Sequence, residues 1–364
     1  MKLSLSRVIV VFLALAAPAM AAGVDLPNQG LESRVEFWKK VFTQYGKDDI
    51  IIHDRVHVNL IYDVVSEDNI RSKTAAVEQA LDDLRSNLDT REKLTLNAKQ
   101  IQDAIAAEEL PLSAATLDEL RDNIHTQRGV KERFREGVIR SGRYVDAFQE
   151  VFEKEGVPAQ VALLPLVESA FENRALSNAG AAGLWQFTRG TGRLYLRVTR
   201  KLDERLDPTK ATRAAAHLLH DNYNALGSWP LAITAYNHGR AGMMRAQSEH
   251  GSEITSIINN YRGRLFGYAS MNFYSEFLAA VDVYQNYQQY FGELVLDKPS
   301  MKQGVAPSKP VQTAKASPAD KYKVRKGDTL WEIAQRFGVS IRELMEMNDL
   351  RNQAIYAGQL LLLK

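Results

Sequence analysis

Between about residues 130 and 295 the apolar side chains recur at helical spacing throughout, a stretch long enough to enclose a large core. The chain of 364 residues has no cysteine, so packing alone must hold that core, without a disulfide framework. A mainly α fold follows.

One residue interrupts the pattern. In Val157-Pro158-Ala159-Gln160-Val161-Ala162-Leu163-Leu164-Pro165-Leu166-Val167-Glu168-Ser169-Ala170-Phe171 the neighbours of Glu168 are apolar or small. With Pro158 as first helical residue, Val161, Leu164, Pro165 and Glu168 share one face, which puts a carboxylate at a position patterned for the core. Apolar surroundings and the negative end of the helix dipole both raise its pKa, and an acid still protonated near neutral pH can protonate a leaving oxygen. Taken alone, a buried glutamate paired with an arginine or capping backbone amides fits the same run.

Two later segments bear on the choice. Gly180 and Gly183, with the small Ala179, Ala181 and Ala182, let backbone approach a ligand closely just before Trp185 and Gln186, an aromatic ring and an amide of the kind that suit a sugar. A tight packing corner before a helix reads the same way. In Ser228–Gly239, Ser228 is placed as N-cap, Pro230 in the first turn and Gly239 as C-cap, so Tyr236 and Asn237 occupy the last turn, free to face a cleft or to cap the helix end.

Taken together, Glu168-Ser169, Ser177-Asn178-Ala179-Gly180-Ala181-Ala182-Gly183-Leu184-Trp185-Gln186-Phe187 and Ala235-Tyr236-Asn237-His238-Gly239 resemble the ordered motifs of lytic transglycosylases with a goose-lysozyme-like SLT catalytic domain. The resemblance is to the membrane-bound lytic murein transglycosylase D type and runs from about Gly129 to Tyr290. Asp203–Pro208 and Asn272-Phe273-Tyr274 are further landmarks, and a weaker likeness reaches back to Phe37-Trp38-Lys39-Lys40. It implies that Glu168 is the single catalytic acid and base, that Ser177 and Gln186 contact bound aminosugars, that Tyr236 and Asn237 orient the glutamate and an N-acetyl group, and that Tyr274 is a second tyrosine of the cleft. His238 and the Asn-Phe-Tyr stretch depart from the commoner forms of the motifs.

Ordinary glycosidases use two carboxylates. Between Glu168 and Gln186 only Glu172 could be a second, and it reads as a solvated partner of Arg174. The resemblance implies a reaction that needs one: Glu168 protonates the β-1,4 oxygen between N-acetylmuramic acid and N-acetylglucosamine, then deprotonates the muramoyl C6 hydroxyl, which closes on C1 as a 1,6-anhydromuramoyl end. Hydrolysis of the same bond by a muramidase, and a noncatalytic wall-binding scaffold, are the alternative readings.

Lys2 and Arg7, the apolar run Val8–Ala17 and then Ala19-Met20-Ala21 read as a secretory signal peptide over residues 1–21, which predicts a periplasmic or envelope location; a retained anchor is the other reading. Without cysteine there is no lipidated cysteine, hence no lipid anchor of the lipoprotein kind. Basic residues number 46 and acidic 44, and setting Lys2 and Arg7 aside leaves 44 against 44, which gives no footprint for nucleic acid. His217 and His220 lack a third ligand at a familiar spacing, so neither a metal nor another cofactor is expected.

Residues 22–128 read as a mostly helical N-terminal region: an amphipathic helix over 24–45, strand-like alternation from Ile50 to Val65 at Val56, Val58, Leu60 and Tyr62, then a helical pair carrying Val77, Leu81, Leu84, Leu88, Ile101 and Ile105. The SLT domain is assigned to 129–296, and the Pro-rich segment 297–320 to a linker. Residues 321–364 resemble one complete LysM domain, a βααβ unit with helices capped by Asp328 or Thr329 and by Ser340. That likeness implies a groove for N-acetylglucosamine-containing peptidoglycan strands formed by Gly327, Asp328, Thr329, Leu330, Asn352 and Ile355.

Overall fold

The computed structural model describes residues 26–88 and 94–299, and in the C-terminal module 321–325, 330–337, 344, 345, 347, 348, 350, 355, 356 and 358–363. The expected signal peptide lies outside the described residues, as do all but the first three residues of the expected linker. Among the described residues no helix is long and apolar enough to cross a membrane.

The fold is mainly helical, and its described residues form one large core and two small ones. Helix α1 (Glu32–Thr43) buries Phe37, Trp38, Val41 and Phe42. They pack along α13 (Tyr268–Gln285) and α5 (Lys131–Ser141), where Phe42 stacks on Phe134 at 4.3 Å. The same core takes in α6 (Val145–Lys154), a 3₁₀ turn at Ala159–Leu163 and a single helical turn α7 (Pro165–Glu168), then α8 (Arg189–Tyr195) and α9 (Pro208–Leu226). It continues through α10 (Trp229–His238), α11 (Arg240–His250), α12 (Ile254–Asn260) and the partly buried α14 (Tyr287–Phe291). Helix α10 lies between α9 and α13 and is buried at every position from Trp229 to Ala235, as an all-round apolar helix must be.

Strands β1 (Ile50–Asp54), β2 (Ile61–Val65) and β3 (Ile124–Arg128) form an antiparallel sheet in the order β2-β1-β3. β1 is buried along its length, and its period-two alternation divides it between two cores. Ile51 joins the large helical core, whereas Ile50 and Ile52 face α2 (Ile70–Ser86), α3 (Leu96–Ala107) and α4 (Ala114–Asp122). Val77, Leu81 and Leu84 of α2 and Ile101 and Ile105 of α3 fill that second core, as their spacing predicts. The continuous strand-like reading of residues 50–65 is corrected to a hairpin. The Asp54 carboxylate accepts hydrogen bonds from the Val56 and His57 amides at 2.7 and 2.6 Å and turns the chain, so Val56, Val58 and Leu60 belong to the loop.

A buried polar seam joins the sheet to α13. Arg34 donates to Asn272 Oδ1 at 3.0 Å and to the Val56 carbonyl at 2.7 Å, and the Tyr268 hydroxyl lies 3.3 Å from His53 Nε2. Burial lowers Arg34 to about 10 and His53 to about 3, so His53 is neutral.

In the C-terminal module β4 (Lys321–Lys323) pairs antiparallel with β5 (Leu360–Leu362), and α15 (Leu330–Phe337) packs between them and Leu344. Asn348 fastens β5, donating to the Leu362 carbonyl at 2.9 Å and accepting from its amide at 2.6 Å.

Candidate active site

Glu168 is the last residue of α7. The run read as one helix from Pro158 is two pieces, because Pro165 has no amide hydrogen to continue the ladder and opens a new turn instead. Beyond Glu168 the chain reverses through Ala170 and Phe171, both left-handed at φ 50° and 54°. Such non-glycine conformations cost of order 1–3 kcal/mol each and persist only where the surroundings impose them. Here the amides of Ser169 and Phe171 both donate to the Pro165 carbonyl, Arg140 Nη1 holds the Ala170 carbonyl at 2.8 Å, and Ser169 Oγ donates to the Leu184 carbonyl at 2.8 Å.

The Glu168 side chain is half-buried, and among the described residues no hydrogen bond or ion pair holds it. Burial pushes its pKa up to about 8, the direction its sequence context predicts. Tyr236 is close enough to feel it: burial first, then the Glu168 charge, raise the phenol well above its ordinary value. The Tyr236 hydroxyl donates to the Trp185 carbonyl at 2.7 Å. Asn237 is exposed at the end of α10, its Oδ1 accepting from Ser270 Oγ of α13 at 2.9 Å.

Residues 175–187 form a tight loop, which Ser169 Oγ reaches through the Leu184 carbonyl. Ala182 bridges to both Leu176 and Phe187, Ser177 Oγ accepts from the Ala181 amide at 3.0 Å, and Gln186, left-handed at φ 47°, donates through Nε2 to the Gly183 carbonyl at 2.9 Å and the Ala175 carbonyl at 3.3 Å. Arg205, 2 % exposed, braces this loop from behind, donating to the carbonyls of Gly180 at 2.9 Å and Phe187 at 2.8 Å while Asp203 holds its other nitrogens. A Cβ on Gly183 would lie 2.1 Å from the Arg205 carbonyl oxygen. The close approach that this glycine permits is therefore to the protein's own backbone.

Several expectations change. Trp185 is no sugar platform: it is fully buried, stacked on Phe152 at 5.3 Å, with Nε1 donating to Thr212 Oγ1 at 2.9 Å. Tyr274, on α13, is 1 % exposed and its hydroxyl donates to the Pro27 carbonyl, so it is a core residue. Glu172 pairs with Arg140, at 3.9 Å, in place of Arg174. Ser228 occupies the N-cap position of α10 without accepting a helix amide. In the LysM module Gly327, Asp328, Thr329 and Asn352 lie outside the described residues; Leu330 is a core residue, 1 % exposed, and Ile355 packs against that core. His217 pairs with Glu155 at 3.5 Å, and among the described residues no group of three or more His, Asp or Glu could hold a metal ion.

The sequence assigns no role to Arg205, within the Asp203–Pro208 landmark, or to Glu276. Glu276, on α13, is half-buried and pushed up to about 8 by burial, with the Glu168 charge adding and Arg133 opposing. Its signal was the same as that of Glu168, a lone carboxylate in an apolar helix, between Phe273 and Phe277. Two cavities of about 370 and 550 Å³ lie elsewhere, one lined by Arg55, His57 and Arg262, the other by Pro27, Ser228 and Thr255, and none of Glu168, Ser177, Gln186, Tyr236, Asn237, Tyr274 and Glu276 lines either.

Comparison with known proteins finds two domain matches and several relatives. Residues 146–259 match the transglycosylase SLT domain and residues 322–364 the LysM domain. Glu168, Ser177, Gln186, Tyr236 and Asn237 fall inside the first match, Tyr274 and Glu276 beyond it. The membrane-bound lytic murein transglycosylase D of Escherichia coli K12 is 26 % identical over 329 residues, covering 70 % of this chain and 71 % of that protein. A putative tributyltin chloride resistance protein of Alteromonas sp. strain M-1 is 34 % identical over 110 residues, 29 % of this chain and 52 % of that one. A probable N-acetylmuramidase of Lactococcus lactis subsp. cremoris is 50 % identical over 42 residues, 12 % and 10 % of the two chains. The chain thus carries a transglycosylase SLT domain followed by a LysM domain, and over 70 % of its length it is similar to membrane-bound lytic murein transglycosylase D.

Proposed function

We propose that the protein is an exported peptidoglycan lytic transglycosylase in which Glu168 alone supplies and recovers the proton, and that it leaves 1,6-anhydromuramoyl ends. The carrying observation is a half-buried carboxyl with no hydrogen-bond or ion-pair partner among the described residues, protonated at neutral pH because burial lifts it to about 8. Such an acid can protonate the glycosidic oxygen between N-acetylmuramic acid and N-acetylglucosamine, and the carboxylate it leaves can take the proton of the muramoyl C6 hydroxyl as that oxygen closes on C1. No water is consumed. Tyr236, fixed on the Trp185 carbonyl, limits where the acid can turn, and we assign Asn237, Ser177 and the Gln186 Oε1 to the amide and hydroxyl groups of the sugar. The LysM module, with Gly327, Asp328, Thr329, Asn352 and Ile355 as its glycan contacts, keeps the cleft near the strand by raising local substrate concentration.

Hydrolysis of the same bond is the second reading, and Glu276 is the observation on its side. At neutral pH that carboxyl is protonated and cannot activate water, which favours the anhydro product. Mass spectrometry of sugars released from purified peptidoglycan is the test. Anhydro ends, lost on Glu168→Gln by a factor of about 10²–10⁴ while wall binding persists, support the proposal. Reducing ends refute it in favour of hydrolysis, and the absence of any release leaves a wall-binding scaffold.

A further inference from the structure

Glu276 sits one turn beyond Asn272 and one turn before Ala280 on α13, and both neighbours are fully buried. Its position therefore faces protein, on a helix that packs against α1, α7 and α10. Among the described residues no hydrogen bond or ion pair holds its carboxyl, which is also the condition of Glu168 on α7. The groups that act on Glu276 are Glu168 from α7 and Arg133 from α5, and Glu276 in turn acts on Tyr268 of its own helix. From α10, Tyr236 faces Glu168; from α1, Arg34 is turned to Asn272 and Tyr268, and Lys39 to Asp282; from α14, Tyr290 meets Asp282. The 3₁₀ turn Ala159–Leu163 brings no charged residue.

We propose that Glu276 is a positioning residue for Glu168: the two carboxyls titrate as a pair, and after the first proton has gone they hold the remaining one between them. This rests on the function proposed above. Like charges in one water-poor site cannot both form readily, so the second proton is retained to a higher pH than either group would keep alone. Both carboxyls are pushed up to about 8, so the singly ionised pair carries its proton on Glu168 for part of the time. Glu168 thus stays partly protonated above the pH at which it would otherwise be fully ionised. In the reaction, Glu168 gives its proton to the leaving oxygen and takes one from the C6 hydroxyl. While Glu168 is charged, that like charge makes Glu276 hold its own proton more firmly, so during that step Glu276 is a poor base for water.

The test is the pH profile of kcat/KM for anhydro-end formation by the full chain. Glu276→Gln removes the second step, so the alkaline limb moves toward acid by roughly half to one pH unit and takes the steepness of a single ionisation. Glu276→Asp keeps a second charge and the broad limb. A Glu276→Gln profile that superimposes on the parent overturns the proposal. A ¹³C-carboxyl NMR titration of the parent and of Glu276→Gln, without substrate, reads the pairing separately from activity. A two-step Glu168 curve that becomes one step supports it, and single-step curves in both proteins overturn it. Should the parent release no anhydro ends while its titration shows two steps, the proposed reaction falls and the paired carboxyls remain.

Discussion

Glu168→Gln should make the protein more stable at neutral pH while destroying its chemistry. The side chain has an ordinary pKa of 4.5 and a folded value of about 8, so the folded state binds the proton more tightly than the unfolded chain does. The stability this contributes is fully present below about pH 4.5 and is lost as pH rises through about 8. At pH 7 the loss is about 1.36 × (7 − 4.5), or about 3.4 kcal/mol, and partial solvent contact reduces it to about 2–3 kcal/mol. Glutamine is neutral at every pH and escapes this cost. It also removes the charge that raises Glu276, which adds to the difference near pH 8. Thermal unfolding of both proteins from pH 4 to pH 8 should show similar Tm values at the acid end and a gap of several degrees, with the variant higher, at pH 7 and above. A gap that stays constant, or a parent that gains on the variant as pH rises, would refute the reasoning, because it would mean that Glu168 is ionised and satisfied in the folded protein.

Two other substitutions test the frame around the acid. Gly183→Ala forces a left-handed alanine and drives its Cβ against the Arg205 carbonyl, so unfolding in urea should show a loss of about 3 kcal/mol or more; a loss under 1 kcal/mol would mean that the loop yields easily. Tyr236→Phe removes the donor to the Trp185 carbonyl, which should cost about 1–2 kcal/mol of stability and lower kcat roughly tenfold, and an unchanged kcat would deny the tyrosine any part in orienting Glu168.

The readable parts of this molecule were those in which a local rule and the tertiary outcome agree. Val77, Leu81 and Leu84 point one way because a 3.6-residue period allows nothing else, and Gly239 ends α10 at φ 90° because its helix has reached the motif glycine. Glu168 announced itself by being the wrong residue for an apolar face. What stayed hidden depended on partners far along the chain. Residues 50–65 alternate like a strand, yet one carboxylate, Asp54, bends them into a hairpin. Trp185 and Tyr274 carry the residue types that line sugar clefts, but Thr212 and the Pro27 carbonyl take their polar ends into the core. Nothing within a few residues of Glu172 distinguishes Arg140 from Arg174 as its partner. Glu276 lies 108 positions after Glu168, and only the packing of α13 against α7 brings the two into one environment.

That packing gives the N-terminal region a physical role. A half-buried acid without a hydrogen-bond partner is expensive, and so are the left-handed Ala170, Phe171 and Gln186 around it; a loosely held loop would relax all four. Two arginines prevent relaxation locally, Arg140 through the Ala170 carbonyl and Arg205 through the Gly180 and Phe187 carbonyls. The remaining wall is α13, which carries Glu276 and the Ser270 that holds Asn237, and α13 is itself fixed from outside the SLT match. Phe37, Trp38 and Val41 of α1 cover it, Arg34 pins Asn272, and β1 contributes Ile51 to the same core while Ile50 and Ile52 anchor the strand in a second one. A strand shared between two cores cannot move in one without disturbing the other. The residues before 129 therefore act on the acid at a distance, by denying its supporting helix any alternative position.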